Sequence, residues 1–161
     1  MKNIKSLFLI LCVILLAGCG KNNLLKDTKW TAKDGSEIIF TSDKVSWYES
    51  KDNHDDNYYK GSYKFYIGKK AANHLTKDLE SYGITSDELK ELYKLNKGTY
   101  YKEENLIVID ITYDEFMLDG EKQEIKNNHV PMFGFINDEK EYLDVANMNT
   151  GSYYGFTKVT K

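Results

Sequence analysis

Residues 106–113 read LIVIDITY. The first four positions are apolar, so both faces of an extended chain must be covered there, and the run is predicted to be a central strand. Asp110 and Thr112 fall on the same face as Leu106 and Val108. Two accounts of Asp110 follow. In the simpler one the strand has reached its solvent end and the carboxylate faces water. In the other, Asp110 is a buried carboxylate inside a sheet cavity, where it must be paired or neutralised and would act as a general acid/base or orient a ligand.

Upstream of this strand the hydrophobic period changes. Ala71, Leu75, Leu79 and Tyr82 recur at helical spacing, and Gly83 is a natural stop. A second helix is predicted at once. Thr85 and Glu88 fit the N-cap and N3 positions of a capping box, with Ile84 and Leu89 placed for a hydrophobic staple. Leu89, Leu92 and Tyr93 form its apolar face, and Gly98 ends it.

Strands are predicted on both sides of this helical pair. Trp30 opens the first, a Lys33-Asp34-Gly35-Ser36 turn follows, and Glu37–Phe40 returns. In Lys44–Tyr48 the alternation puts Val45 and Trp47 on one face. Residues 49–57, ESKDNHDDN, are predicted to be a polar loop. Tyr59, Gly61, Tyr63, Phe65 and Ile67 share a face of the next strand. Downstream, Phe116–Leu118 runs into an Asp119-Gly120 turn and a charged segment ending at Ile125. Val130–Ile136 and Tyr142–Ala146 flank a turn over 137–140, and Tyr153–Val159 closes the series. Strands, two helices, then strands predict an α+β domain: a mostly antiparallel, curved sheet or partial barrel with two short consecutive helices inserted mid-chain.

The N-terminus carries a different signal. Lys2 and Lys5 precede an unbroken apolar run from Leu7 to Ala17. A helix of that length spans roughly 16 Å, well short of the ~30 Å hydrocarbon core, so the run suits a secretory signal peptide better than a membrane span. It ends in Leu16-Ala17-Gly18-Cys19, and Gly20, Lys21 and Asn22 follow. This stretch resembles the lipobox of bacterial lipoproteins. The resemblance implies diacylglycerol on the Cys19 sulfur and cleavage before it, with two acyl chains giving stable anchoring. The chain then divides into a signal peptide over 1–18, a lipidated tether over 19–23 and a single globular domain over 24–161. The expected address is the extracytoplasmic face of a cell membrane.

Composition narrows the remaining classes. Without the signal peptide about 140 residues remain, enough for one domain that buries roughly two thirds of its unfolded surface. The chain has a formal charge of −3, and losing Lys2 and Lys5 makes the mature part more acidic still. All 22 basic residues are lysine. An acidic balance without arginine disfavours nucleic-acid binding, since arginine makes the best bidentate phosphate and guanine contacts. An arginine-free chain rich in Lys, Asn, Ile and Tyr suggests an AT-rich, Gram-positive genome. The two cysteines are Cys12, inside the signal peptide, and Cys19, so the mature domain has no thiolate for a disulfide, a metal or nucleophilic catalysis.

The opening Trp30, the Asp34-Gly35-Ser36-Glu37-Ile38-Ile39-Phe40 hairpin and the Trp47-Tyr48 strand resemble the start of small lipocalin-like bacterial lipoproteins. That likeness implies a strongly curved sheet. It lacks the family's Gly-x-Trp, because Thr28 stands two residues before Trp30.

No stretch names a reaction. There is no GxSxG, SxxK or Gly-rich phosphate loop. Glu49, Asp52, His54, Asp55 and Asp56 cluster, but without the glycine and closing glutamate of an EF-hand loop, and they read as a solvated acidic loop. His54, His74 and His129 match no HExxH pattern, so no metal or cofactor is expected. Three tyrosine doublets, Tyr58-Tyr59, Tyr100-Tyr101 and Tyr153-Tyr154, each stand close to a glycine. Phenol rings facing outward stack on sugars or anchor a partner, which makes these six the candidate binding surface. The expected function is a non-enzymatic binding module whose partners are the membrane, through Cys19, and a protein, peptide or envelope component. The alternatives are a wall-directed hydrolase using carboxylates such as Asp110, and a lipocalin-like small-molecule carrier.

Overall fold

In the computed structural model the described residues are 24–79 and 99–160, with residues 85, 87, 90 and 91 between them. They form strands β1 (Thr28–Ala32), β2 (Glu37–Phe40), β3 (Lys44–Ser50) and β4 (Asn53–Ile67), then helix α1 (Lys69–Leu79). Strands β5 (Leu106–Leu118), β6 (Glu121–Lys122), β7 (His129–Ile136), β8 (Tyr142–Asn147) and β9 (Tyr153–Lys158) follow. The signal run and lipobox lie outside the described residues.

Each long strand pairs antiparallel with its neighbour in sequence, and two pairings shut the ring. β4 lies along β5 from Tyr58↔Met117 to Ile67↔Ile107, across the segment that carries α1. β9 returns to β1 with Trp30 opposite Lys158. The result is a closed eight-stranded up-and-down barrel, with β6 a two-residue extension beside the far end of β5. An eight-stranded barrel has an interior just wide enough to be filled by side chains or to hold one small ligand.

Period-two alternation decides what enters that interior. Val45 and Trp47 point in from β3, and Tyr59, Tyr63, Phe65 and Ile67 from β4, as their spacing requires. Ile107, Ile109, Ile111 and Tyr113 point in from β5. The other face of β5 carries Leu106 and Val108, and α1 lays Ala71 and Leu75 over them beside Phe135. This is why LIVIDITY is apolar on both sides at its start: the inner face meets the barrel core, and the outer face meets the helix.

Closure overturns the expected α+β class. Neither an open curved sheet nor a partial barrel is present. Among the described residues the strands form a closed antiparallel barrel, and helix α1 lies on its outer wall. Strand order alone cannot show whether the last strand reaches the first, since that pairing joins residues more than a hundred apart and depends on accumulated strand tilt and register. Of the second expected helix, over 85–97, Asp87, Lys90 and Glu91 are described as helical and most of the rest lies outside the described residues.

A second correction concerns residues 49–57. They are not a loop: β3 continues to Ser50 and β4 begins at Asn53, leaving only Lys51 and Asp52 at the turn. Here the hairpin carries polar residues on both faces, so alternation gives no strand signal. By contrast, the Asp119-Gly120 turn forms as expected, with both residues at positive φ, 51° and 74°.

The barrel has two unlike ends. The chain enters at one, where Leu25 is fully buried and the Thr28 N–H bonds its carbonyl at 3.1 Å. The β2–β3 turn lies at the same end, where the Thr41 carbonyl accepts the Tyr63 hydroxyl at 2.9 Å. The β1–β2 turn and the start of β9 lie at the other end, which is open.

Candidate functional site

The open end holds a cavity of about 520 Å³. Strands β3, β4, β5, β7, β8 and β9 contribute to it, with the β1–β2 turn and the β6–β7 connection, because one terminus of each strand and the turns at that end converge on a barrel mouth. Trp47, Tyr59, Tyr113 and Tyr154 supply its rings, and Met132 and Val130 add apolar surface from β7. The rings brace one another. The Trp47 and Tyr154 centroids lie 4.8 Å apart at 76°, and those of Tyr59 and Tyr113 lie 5.2 Å apart at 46°. Phe116 stacks on Tyr59 at 4.3 Å. Burial raises the Tyr59 and Tyr113 phenols above their ordinary values, and the nearby Glu49 charge adds to the effect on Tyr59. A phenol is already protonated at neutral pH, and the shift only moves its ionisation further away.

The rim is acidic. Asp34 Oδ1 accepts the Ser36 N–H at 2.9 Å and the Ser36 hydroxyl at 2.7 Å. Those two bonds hold its carboxyl below the usual range. Glu49 stands on the same rim.

The six candidate tyrosines do not form one surface. Alternation sends one ring of each strand doublet inward: Tyr59 and Tyr154 line the cavity. Tyr58 points outward, where its hydroxyl donates to Glu115 at 2.6 Å and Lys60 Nζ sits 3.9 Å from its ring centroid. Tyr100 and Tyr101 stack at 4.6 Å and both direct hydroxyls to Asp144 Oδ2, Tyr101 at 3.1 Å. Burial, followed by the bond to Asp144, drives the Tyr100 phenol far above its ordinary value. Tyr153 stands nearby and is 63% exposed.

Asp144 is itself almost fully buried, on the outer face of β8 between the inward Leu143 and Val145. The alternation in sequence marks it as outward and hence solvated. Its burial comes from the 100–101 segment folding over it, a contact across 43 residues. Glu37 is a second buried carboxylate that sequence reasoning missed. Lys29 Nζ reaches it at 2.6 Å and His54 Nε2 at 3.0 Å, while the His54 ring stacks on Tyr48 at 3.8 Å. His54 thus leaves the acidic stretch around residue 52 and turns onto the barrel wall.

Asp110 lies on the outer wall, opposite Lys64 and Pro131 in the ladders. It neither faces open water nor enters the cavity. Its side chain is 16% exposed, and His74 Nε2 from α1 sits 2.7 Å from Oδ2. Tyr66 stacks on that imidazole at 4.2 Å. His129 Nε2 is 3.9 Å from the other oxygen. The contact fastens α1 to β5, a tertiary pairing that the spacing of 36 residues does not announce.

No family model, curated protein or solved structure matches this chain.

Proposed function

We propose that this chain is a membrane-anchored, extracytoplasmic lipoprotein that acts as a binding module and takes a small amphipathic molecule, or the end group of an envelope component, into the mouth of its barrel. The mouth cavity carries the reading. Its volume of about 520 Å³ falls within the range of small-molecule sites, and its lining combines apolar rings with a few polar groups. Asp110, the carboxylate on which a hydrolase reading rests, is on the outer wall instead. Among the expected alternatives, the carrier reading gains from this and the hydrolase reading does not.

The proposed anchor orients the site. Cys19 precedes the buried Leu25 by six residues, a reach of at most ~20 Å when extended. A lipidated Cys19 would therefore hold the closed end of the barrel against the bilayer and direct the mouth away from it. Such a site collects its ligand from the wall or medium rather than from the lipid beneath.

Two measurements test this. Mass spectrometry of the native protein should find a chain that begins at a diacylated Cys19; a chain beginning at Met1 with a bare thiol would remove the anchor and the orientation. In NMR titrations with small aromatic fragments, shifts should concentrate on Tyr59, Tyr113, Met132 and Tyr154. Shifts gathered on Tyr100, Tyr101 and Tyr153 would move the binding role to the outer wall.

A further inference from the structure

We propose that the ligand is an organic cation, a substituted ammonium on an apolar body, with its charge held among Trp47, Tyr59 and Tyr154 beneath the carboxylates of Asp34 and Glu49. This rests on the cavity reading above and names the ligand class for that site. Two independent features of the mouth converge on it.

The first is charge. Lysine is abundant in the chain, with 22 copies in 161 residues. Yet two carboxylates and no lysine line the mouth among the described residues. Neither Asp34 nor Glu49 is in an ion pair among the described residues, unlike Glu37 and Asp110, whose nearest partners lie within 3.0 Å. The Ser36 bonds to Asp34 Oδ1 stabilise its ionised form and so keep a negative charge at the rim. An anionic ligand would be repelled there, and a cation attracted, with the attraction strengthened as the cavity excludes water.

The second is the rings. An indole and three phenols line one space, and tilts of 76° between Trp47 and Tyr154 and 46° between Tyr59 and Tyr113 prevent them from lying in a common plane. Phe116 covers one face of Tyr59, and rings set at such angles cannot all present only their edges to the space they line. The negative face of an aromatic ring attracts an ammonium, and cages of such rings are the established way of holding quaternary ammonium groups. The raised phenols of Tyr59 and Tyr113 remain neutral, so the cage adds quadrupoles and donors without further charge.

A matched pair of ligands separates this inference from the reading beneath it. (4-Hydroxyphenyl)trimethylammonium and 4-tert-butylphenol have nearly the same shape and differ in charge. Each is titrated into the whole lipidated chain in nanodiscs of neutral lipid, with empty discs as the blank, and binding is followed by quenching of tryptophan fluorescence. The cation should bind at least about tenfold more tightly than the neutral isostere. The Asp34→Asn, Glu49→Gln double variant should lower that ratio by weakening binding of the cation, and a ratio that stays as in the parent would overturn the role given to the two carboxylates. Equal affinities, or tighter binding of the phenol, would overturn the cation inference and leave the cavity reading standing. Failure of both to bind would overturn the two together.

Discussion

Gly61→Ala should destabilise the barrel by about 3 kcal/mol or more, at the upper end of what overpacking costs. A Cβ at residue 61 would stand 2.1 Å from the Thr112 carbonyl oxygen and 2.7 Å from the Tyr113 Cα. Both are backbone atoms of the paired strand, so no rotamer change relieves the clash. The site is also where the ladder shifts register between Lys60 and Gly61, in the β4–β5 pairing that shuts the ring. Glycine at such a bulge lets one strand bend close over another. Separating the strands would break ladder bonds on both sides of the seam. Urea unfolding followed by circular dichroism measures the effect: a loss under about 1 kcal/mol would show that the strands are further apart than described. Gly134, whose Cβ would meet the Asp144 carbonyl oxygen at 1.8 Å, provides a parallel case between β7 and β8.

Trp30→Ala should cost about 3–5 kcal/mol, the usual loss for a large buried aromatic. Trp30 is wholly buried, and Phe40 and Phe156, equally buried, belong to the same core cluster. Its indole N–H donates to the Thr28 hydroxyl at 2.8 Å, so truncation removes a satisfied donor along with the packing. The domain has no disulfide to offset the cavity left behind, and ordinary domains hold only about 5–15 kcal/mol in total. The variant should therefore melt roughly 6–20 °C lower than the parent, given ~2–4 °C per kcal/mol at this size. Trp47 is the contrast. It lies at the mouth, where truncation enlarges a space that is already open, so Trp47→Ala should cost far less stability. A similar fall in melting temperature for both variants would place Trp47 in the core and remove the distinction between plugged and open ends.

These two positions also show how differently parts of the fold could be read beforehand. Trp30 was legible as part of the first strand, which begins two residues before it, and Gly61 as one of five residues on the inward face of another. What Gly61 does was not legible, because its role is a close approach to Thr112, 51 positions away. The mouth was half visible. Tyr59 and Tyr154 stood out as members of doublets, and alternation required one ring of each to turn inward. Trp47 had its face assigned correctly but nothing marked it as part of a site. Tyr113 lay within the central strand, and the rim carboxylates Asp34 and Glu49 read as a turn residue and a loop residue. The buried carboxylates Glu37 and Asp144 gave no signal, since each occupies an outward position in its strand and owes its burial to groups from elsewhere.

Local periodicity by itself determined where most strands run, which side chains face inward along them, where α1 lies and which turns reverse the chain. These follow from φ/ψ preferences and side-chain alternation, which act over a few residues. Closure of the ring, the cover over Asp144, the docking of His74 on Asp110 and the gathering of four rings at one end were decided only by the tertiary structure. Each joins residues far apart in the chain, and their pairing depends on strand tilt and register summed around the whole barrel, quantities that no short stretch of sequence contains.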